Sequence, residues 1–301
     1  MKTLIGLILA LLPAAALASG LTATAPAPQE GGGPPVYPTF GVHNPPQHSP
    51  CGDAARDCLN RRTEGQPSDP LYPQQWVSDW TMYRVFDGYR ENPPPYTSPP
   101  ARLVPDQYEV STGTTYYDST YNWQVYPDSG AMMEFYRDRC LPIFPIDNRF
   151  TCAFVSLGMT AYFLTYPEDR PDGMPPCCLF SEVNHPPRRD FVKHLPYSAA
   201  DSARVDGIQA YSLTTPGPDG PILFGYAFNS AYSTDPDVPD QPAYRHPFAF
   251  YFSGSTATPP DAPIVTQNYT NFSARTPDPA TTWDFAAQQC RGSIPNCALF
   301  Q

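Results

Sequence analysis

From Trp76 onward the chain is built of short runs in which bulky apolar residues alternate with smaller or polar ones, broken at short intervals by Pro, Gly, Asp and Asn. The clearest case lies between Asp206 and Asn229. Ile208–Leu213 and Ile222–Phe228 are apolar runs separated by Pro216-Gly217-Pro218-Asp219-Gly220, a segment of strong turn chemistry. In the second run Ile222, Phe224, Tyr226 and Phe228 fall on one face, and Leu223, Gly225 and Ala227 on the other. A period of two with this aromatic content predicts a long β-hairpin with one bulky face and one nearly bare face.

The same pattern recurs along the chain. Trp80, Met82, Arg84 and Phe86 alternate with Thr81, Tyr83 and Val85, giving a strand that ends at Asp87-Gly88. Gln107–Asp118, Asn122–Tyr126 and Ala131–Asp138 read as three more, split by turn residues. Phe150–Tyr166 reads as a hairpin turning near Gly158, Cys177-Cys178-Leu179-Phe180 opens another strand, and Pro247–Phe252 and Ile264–Phe272 complete the set. Residues 184–206 break the pattern with a loop and a helical turn over Ser198–Val205, and Thr282–Gln289 predicts a short helix. About ten strands with hairpin connections predict an all-β, disulfide-bonded fold, an antiparallel two-sheet half-barrel or sandwich. No amphipathic helices alternate with the strands, which excludes a parallel α/β sheet.

Composition changes the picture at the N-terminal end. Met-Lys-Thr, the apolar block Leu4–Leu17 and the small-residue site Ala16-Leu17-Ala18 predict a secretory signal peptide over residues 1–18. Residues 19–70, rich in Pro and Gly, predict a flexible leader, and residues 71–301 a single β-rich domain. Pro accounts for 41 of 301 residues and crowds the leader and loops, leaving short Pro-free strands between. Eight cysteines, Cys51, Cys58, Cys140, Cys152, Cys177, Cys178, Cys290 and Cys297, are expected to form four disulfides in an oxidising compartment. Cys51 and Cys58 could bridge each other or reach into the domain. Cys140 and Cys152 are expected to pair, and Cys290 to reach Cys177 or Cys178. These two are adjacent and point to opposite faces of a strand, so each needs a distant partner.

The expected location is secreted or the endomembrane lumen, whether extracellular, vacuolar or lysosomal. Asn268 and Asn271 head glycosylation sequons. No later run is long and apolar enough for a transmembrane segment. The net charge of -11 argues against nucleic acid and anionic membranes as partners.

Gly113-Thr114-Thr115-Tyr116-Tyr117-Asp118 resembles the Gly-x-x-x-Tyr-Asp strand end of the ependymin family. Leu195-Pro196-Tyr197-Ser198-Ala199 with the following hairpin is similar to that family's Ile-Pro-x-x-Ala segment, and Asn271, Asp278-Pro279, Trp283 and Cys290 look like its C-terminal ending. The pattern departs at Arg275-Thr276, where the family has Gly-Ile, and at Trp283, which arrives one position late for the family's Phe. The family's Pro before its last Cys has no clear match near Gln288, and its extra Cys before Val-Pro has none near Ile264. The resemblance spans roughly residues 105–290. It implies a secreted glycoprotein of two curved antiparallel sheets around a hydrophobic pocket, with links to lipid, calcium and homodimers.

Candidate chemistry is sparse. No nucleophile elbow, zincin helix or phosphate loop is present, so no enzyme is expected and no catalytic residue is assigned. A Cys/His pair from Cys177 or Cys178 with His185 or His194 competes with the disulfide reading, which is much the stronger. Arg188-Arg189-Asp190 reads as a local ion pair before an anion clamp. Asp235, Asp237 and Asp240 lack the spacing of a calcium loop, His43 and His48 lack further ligands, and no metal site is assigned. Glu134 and Asp138 could form an acid/base pair, with no partner nearby in sequence.

The aromatic face carries the functional expectation. Phe224, Tyr226 and Phe228, with Phe248, Phe250 and Phe252, give six rings on two strands that could be neighbours, while the small residues lie mostly on the opposite face. Tyr211, Phe224, Tyr226, Phe228, Phe250 and Phe252 are the expected ligand pocket. The function expected is binding of a hydrophobic small molecule or lipid in an apolar pocket. The alternative is a cell-surface or extracellular-matrix protein acting through protein contacts.

Overall fold

A computed structural model describes residues 67, 69–89, 91–122, 130–142, 148–182, 184, 186–217, 220–231, 245–253 and 264–297. Eleven strands run through it: β1 (Gln75–Val85), β2 (Tyr108–Asp118), β3 (Ala131–Arg137), β4 (Cys152–Leu157), β5 (Thr160–Thr165), β6 (Cys177–Ser181), β7 (Tyr197–Ser198), β8 (Ile208–Gly217), β9 (Gly220–Asn229), β10 (Pro247–Ser253) and β11 (Ile264–Ser273). Two short helices are α1 (Ala199–Ser202) and α2 (Trp283–Gln289). The fold is all-β, antiparallel and disulfide-bonded, as the alternation predicts.

The strands form one continuous sheet in the order β6-β5-β4-β3-β2-β1-β11-β10-β9-β8-β7, where two sheets were expected. The reason lies at the centre. β1 pairs with β2 along its whole length and with β11 from Val77 to Val85, so the N- and C-terminal halves are stitched into a single ladder. β1 also starts at Gln75, five residues before the predicted run. The alternation of β1 is unbroken there, the extra residue of the irregularity between Val77 and Asp79 lying on β11. Asn122 lies in a loop, and the rest of the predicted run to Tyr126 is outside the described residues.

The sheet is strongly curled. Tyr117 on β2 and Phe228 on β9 are four strand spacings apart, ~19 Å in a flat sheet at ~4.8 Å per strand. Both rings contact Tyr72, at 5.4 and 5.7 Å between centroids, which holds them within about 11 Å of each other. Gln267 on β11 donates to Glu134 on β3 at 3.1 Å, across three spacings.

Both faces of the sheet are covered. On the outside, Trp283 and Ala286 of α2 pack on Met133, Val155, Tyr162 and Leu164, and Cys177–Cys290 ties the helix end to β6. Val205, just after α1, packs on Ile208, Ala210, Ala227, Ala249 and Tyr251. Gly225 is bare because the Tyr251 ring lies over it; a Cβ there would sit 1.9 Å from Tyr251 Cζ. The Tyr251 hydroxyl donates to Asp201 Oδ2 at 2.7 Å, fixing α1 on the sheet. The small residues opposite the aromatic face therefore make room for this layer and say nothing of a groove on the other side.

Cys140–Cys152 clasps the entry to β4, and Cys178–Cys297 joins β6 to the C-terminal segment. Adjacent Cys177 and Cys178 serve opposite faces, as alternation requires, and all six described cysteines are bridged. The C-terminal segment also hydrogen-bonds along β6, with Leu179 N to Pro295 O at 2.8 Å and Cys297 N to Leu179 O at 2.9 Å, which masks the exposed edge of the sheet. Cys51 and Cys58 lie outside the described residues.

Candidate functional site: the inner face of the curled sheet

Strand register fixes which side chains point inward. Trp76, Ser78, Trp80 and Met82 of β1 share a face with Ser111, Gly113, Thr115 and Tyr117 of β2. The same face continues through Met132, Glu134 and Tyr136 of β3 and Cys152 and Phe154 of β4. On the other side it runs through Gln267 and Tyr269 of β11, Phe250 and Phe252 of β10, Phe224 and Tyr226 of β9, and Tyr211 and Leu213 of β8. Gly113 has the same origin as Gly225: the Trp80 ring lies over it, and a Cβ would meet Trp80 Cζ2 at 2.1 Å.

The six expected pocket residues share this inner face. Phe250 pairs directly with Tyr226 and Phe252 with Phe224, and the ring centroids of these pairs are 5.3 and 5.1 Å apart. They do not share one environment, however. Tyr211, Phe224, Phe228 and Phe252 are sealed core, with Phe252 at 0% exposure, whereas Tyr226 and Phe250 keep accessible surface. Phe248 leaves the aromatic row. A register irregularity between Pro247 and Ala249 takes it out of the alternation, and it packs with the outer cluster around Tyr251.

One end of the interior is closed by aromatic packing. Phe191 contacts Tyr72 at 5.0 Å and Tyr226 at 4.8 Å, while the Tyr117 hydroxyl donates to Pro187 O at 2.6 Å. Residues 186–195 thus lie across the curl, held also by Arg189, whose Nε donates to Tyr72 O at 2.7 Å. Arg188 pairs locally with Asp190 at 3.6 Å, so this segment is a strap and the anion clamp is not formed by Arg189. Toward the other end, Glu109 binds both Arg84, at 3.1 Å, and Arg139.

Midway between these ends sits Glu134. Its Oε2 accepts from Thr115 Oγ1 at 2.7 Å and from Gln267 Nε2 at 3.1 Å. Trp80 Nε1 is near enough to weigh on the carboxyl but makes no hydrogen bond of good geometry. Burial pushes the carboxyl up to about 7, against the smaller lowering by these donors. Glu134 nonetheless keeps part of its surface accessible, as do Met132, Tyr226, Phe250 and Tyr269 around it.

Glu134 is also felt by four tyrosines, Tyr72, Tyr136, Tyr226 and Tyr269, whose hydroxyls are pushed up mainly by burial and further by its charge. The acid/base pairing with Asp138 that the sequence allowed does not form. Asp138 lies past the end of β3, exposed and with a φ of 60°.

Several expectations fall elsewhere. Cys177 and Cys178 are disulfide-bonded, which removes the Cys/His pair, and His185 is outside the described residues, as are His43, His48, Asp235, Asp237 and Asp240. Among the described residues no three His, Cys, Asp or Glu side chains converge as metal ligands, and no helix is long and apolar enough to cross a membrane. Asn268 is buried, its amide donating to Tyr96 O at 2.9 Å and its oxygen accepting from Thr266, so a glycan there would disrupt the strand. Asn271 is exposed.

Trp76, Trp80, Tyr72, Tyr136 and Tyr269 join the site without having been singled out from sequence. Tyr72 precedes the first readable strand and carries no periodic signal. Glu134 did carry one. It is the lone charge in Ala131-Met132-Met133-Glu134-Phe135-Tyr136, a run apolar in both phases. No protein-family model matches the chain, and no curated protein matches it, so the ependymin resemblance rests on the motif residues quoted above.

Proposed function

We propose that this protein binds a hydrophobic small molecule or lipid inside the curled sheet, in a secreted or lumenal setting. The observation that carries the reading is the uneven burial of the inner face. Most of its rings are sealed, but Tyr226, Phe250, Tyr269, Met132 and Glu134 keep accessible surface in the middle of an otherwise closed aromatic core. A fully packed interior leaves no such surface, and concave apolar sites with a few convergent polar groups are where small ligands bind. The three disulfides accord with an oxidising compartment. The ependymin resemblance carries the same expectation of an apolar pocket.

The test uses a neutral fluorescent apolar probe, N-phenyl-1-naphthylamine. Saturable binding is expected, and Phe250→Ala should weaken it while lowering Tm only slightly. Absence of saturable binding, together with a Phe250→Ala loss of stability as large as that of a sealed core ring, would show that the inner face is ordinary core.

A further inference from the structure

We infer that the interior selects amphiphiles whose polar end donates hydrogen bonds, an alcohol or an amine, and that Glu134 receives that end. The inference rests on the binding reading above and adds the class of ligand. Thr115 and Gln267 both bind Oε2, which fixes the plane of the carboxyl and leaves Oε1 without a hydrogen bond of good geometry among the described residues, the Trp80 indole being the one further donor that bears on the carboxyl. Glu134 keeps part of its surface accessible, in contrast to the indole nitrogens of Trp76 and Trp80, which are buried. The hydroxyls of Tyr72, Tyr136 and Tyr226 likewise engage no described residue, and that of Tyr269 leans only on Thr115. Buried polar atoms in native proteins are almost always paired with protein, water or ligand. One carboxylate oxygen and three hydroxyls gathered in the same interior therefore make a polar subsite in an apolar wall.

The charge of the subsite sets which head group fits. The groups facing Glu134 come from several neighbouring elements: Thr115 from β2, Trp80 from β1, Gln267 and Tyr269 from β11, Tyr226 from β9, Tyr136 from β3 itself, and Tyr72 from the segment before β1. None is a cation. Arg84 and Arg139 pair with Glu109 toward the other end. A ligand carboxylate placed here would stand beside Glu134 with nothing to neutralise either charge, which is strongly disfavoured away from water. An alcohol donates to Oε1 and accepts from a tyrosine. An ammonium does better still, keeping Glu134 ionised and lying among the faces of Trp80 and the tyrosine rings.

The experiment measures displacement of N-phenyl-1-naphthylamine from the full-length protein by dodecylamine, dodecanol and dodecanoate below their micellar concentrations. Measurements are made at about pH 8 and about pH 6, a window in which the amine and the acid keep their own charges. At the higher pH the amine and alcohol should displace at roughly tenfold lower concentration than the acid, the worth of one charge-assisted hydrogen bond. At the lower pH, as Glu134 takes up a proton, the amine should weaken and the acid gain. Glu134→Gln should abolish both the preference and its pH dependence. The wild-type pH comparison stands by itself should that variant fail to fold. Equal displacement by all three heads, or preference for the acid at pH 8, overturns the inference and leaves the binding reading intact. No saturable probe binding removes the binding reading and this inference with it.

Discussion

A carboxyl held at about 7 in the folded protein against an ordinary value of 4.5 makes Glu134 a measurable liability, whatever the ligand. The sign follows from linkage. The folded state holds the proton more tightly than the unfolded chain, so the cost is absent at low pH. It grows as pH rises from 4.5 towards 7 and is constant above. Between pH 5 and pH 8 the two titrations differ by about 2.5 kcal/mol of stability, an order-of-magnitude figure from 1.36 kcal/mol per pKa unit. Glu134→Gln keeps the shape and removes the titration. Urea melts of wild type and variant, with disulfides intact, should therefore diverge in favour of the variant by about that amount on going from pH 5 to pH 8. For a domain of this size the corresponding divergence in Tm is about 5–10 °C. Other ionisable groups cancel in the difference. Parallel pH profiles would mean that water reaches and solvates the carboxyl freely, and that Glu134 is not desolvated at all.

Three other outcomes follow from particular contacts. Phe252→Ala, at a fully sealed ring, should cost ~3–5 kcal/mol in a denaturant melt, well above the loss for Phe250→Ala; equal losses would contradict the division of the aromatic face into core and wall. Gly225→Ala drives a methyl to within 1.9 Å of Tyr251 Cζ, in a ring that cannot swing aside because its hydroxyl is anchored on Asp201, and should cost ~1–3 kcal/mol; a change below about 0.5 kcal/mol would refute that placement. Expressed in a glycosylating host, the protein should lose one glycan by mass on Asn271→Gln, whereas Asn268→Gln should leave glycan mass unchanged and lower stability by ~1–3 kcal/mol through its buried amide.

Strand content was legible because alternation is a local signal. Hairpins such as β4–β5 and β8–β9 announce themselves by two matched runs and a Gly or Pro turn; β4–β5 lies within two residues of expectation, while β8 runs past Leu213 to Gly217, into the expected turn. The number of sheets was not legible, because it depends on whether β1 and β11, 179 residues apart at their outer pairing of Val85 with Ile264, zip together at the centre. No local pattern encodes such a pairing. The same limit hid the curl, which is set by rings packed around Tyr72 from β2, β9 and the strap at Phe191.

The site shows a sharper version of the same limit. Alternation identified a row of rings but could not tell wall from core, since Phe250 and Phe252 look alike in sequence and differ only in what stands opposite them in the curl. The small residues on the other face were a misleading guide, being filled by Tyr251 and the segment after α1. The informative residue was the one that broke the pattern. An apolar strand gains nothing from a buried glutamate, and replacing it with a hydrophobic residue of similar size is the stabilising choice in a plain core. Its presence at mid-height, half satisfied by Thr115 and Gln267 and set among the hydroxyls of Tyr72, Tyr136 and Tyr226, which engage no described residue, is a cost that packing alone does not explain. A bound head group that donates to Oε1 turns that cost into selectivity, which is why the ligand preference and the pH-dependent stability should be altered together by the single change Glu134→Gln.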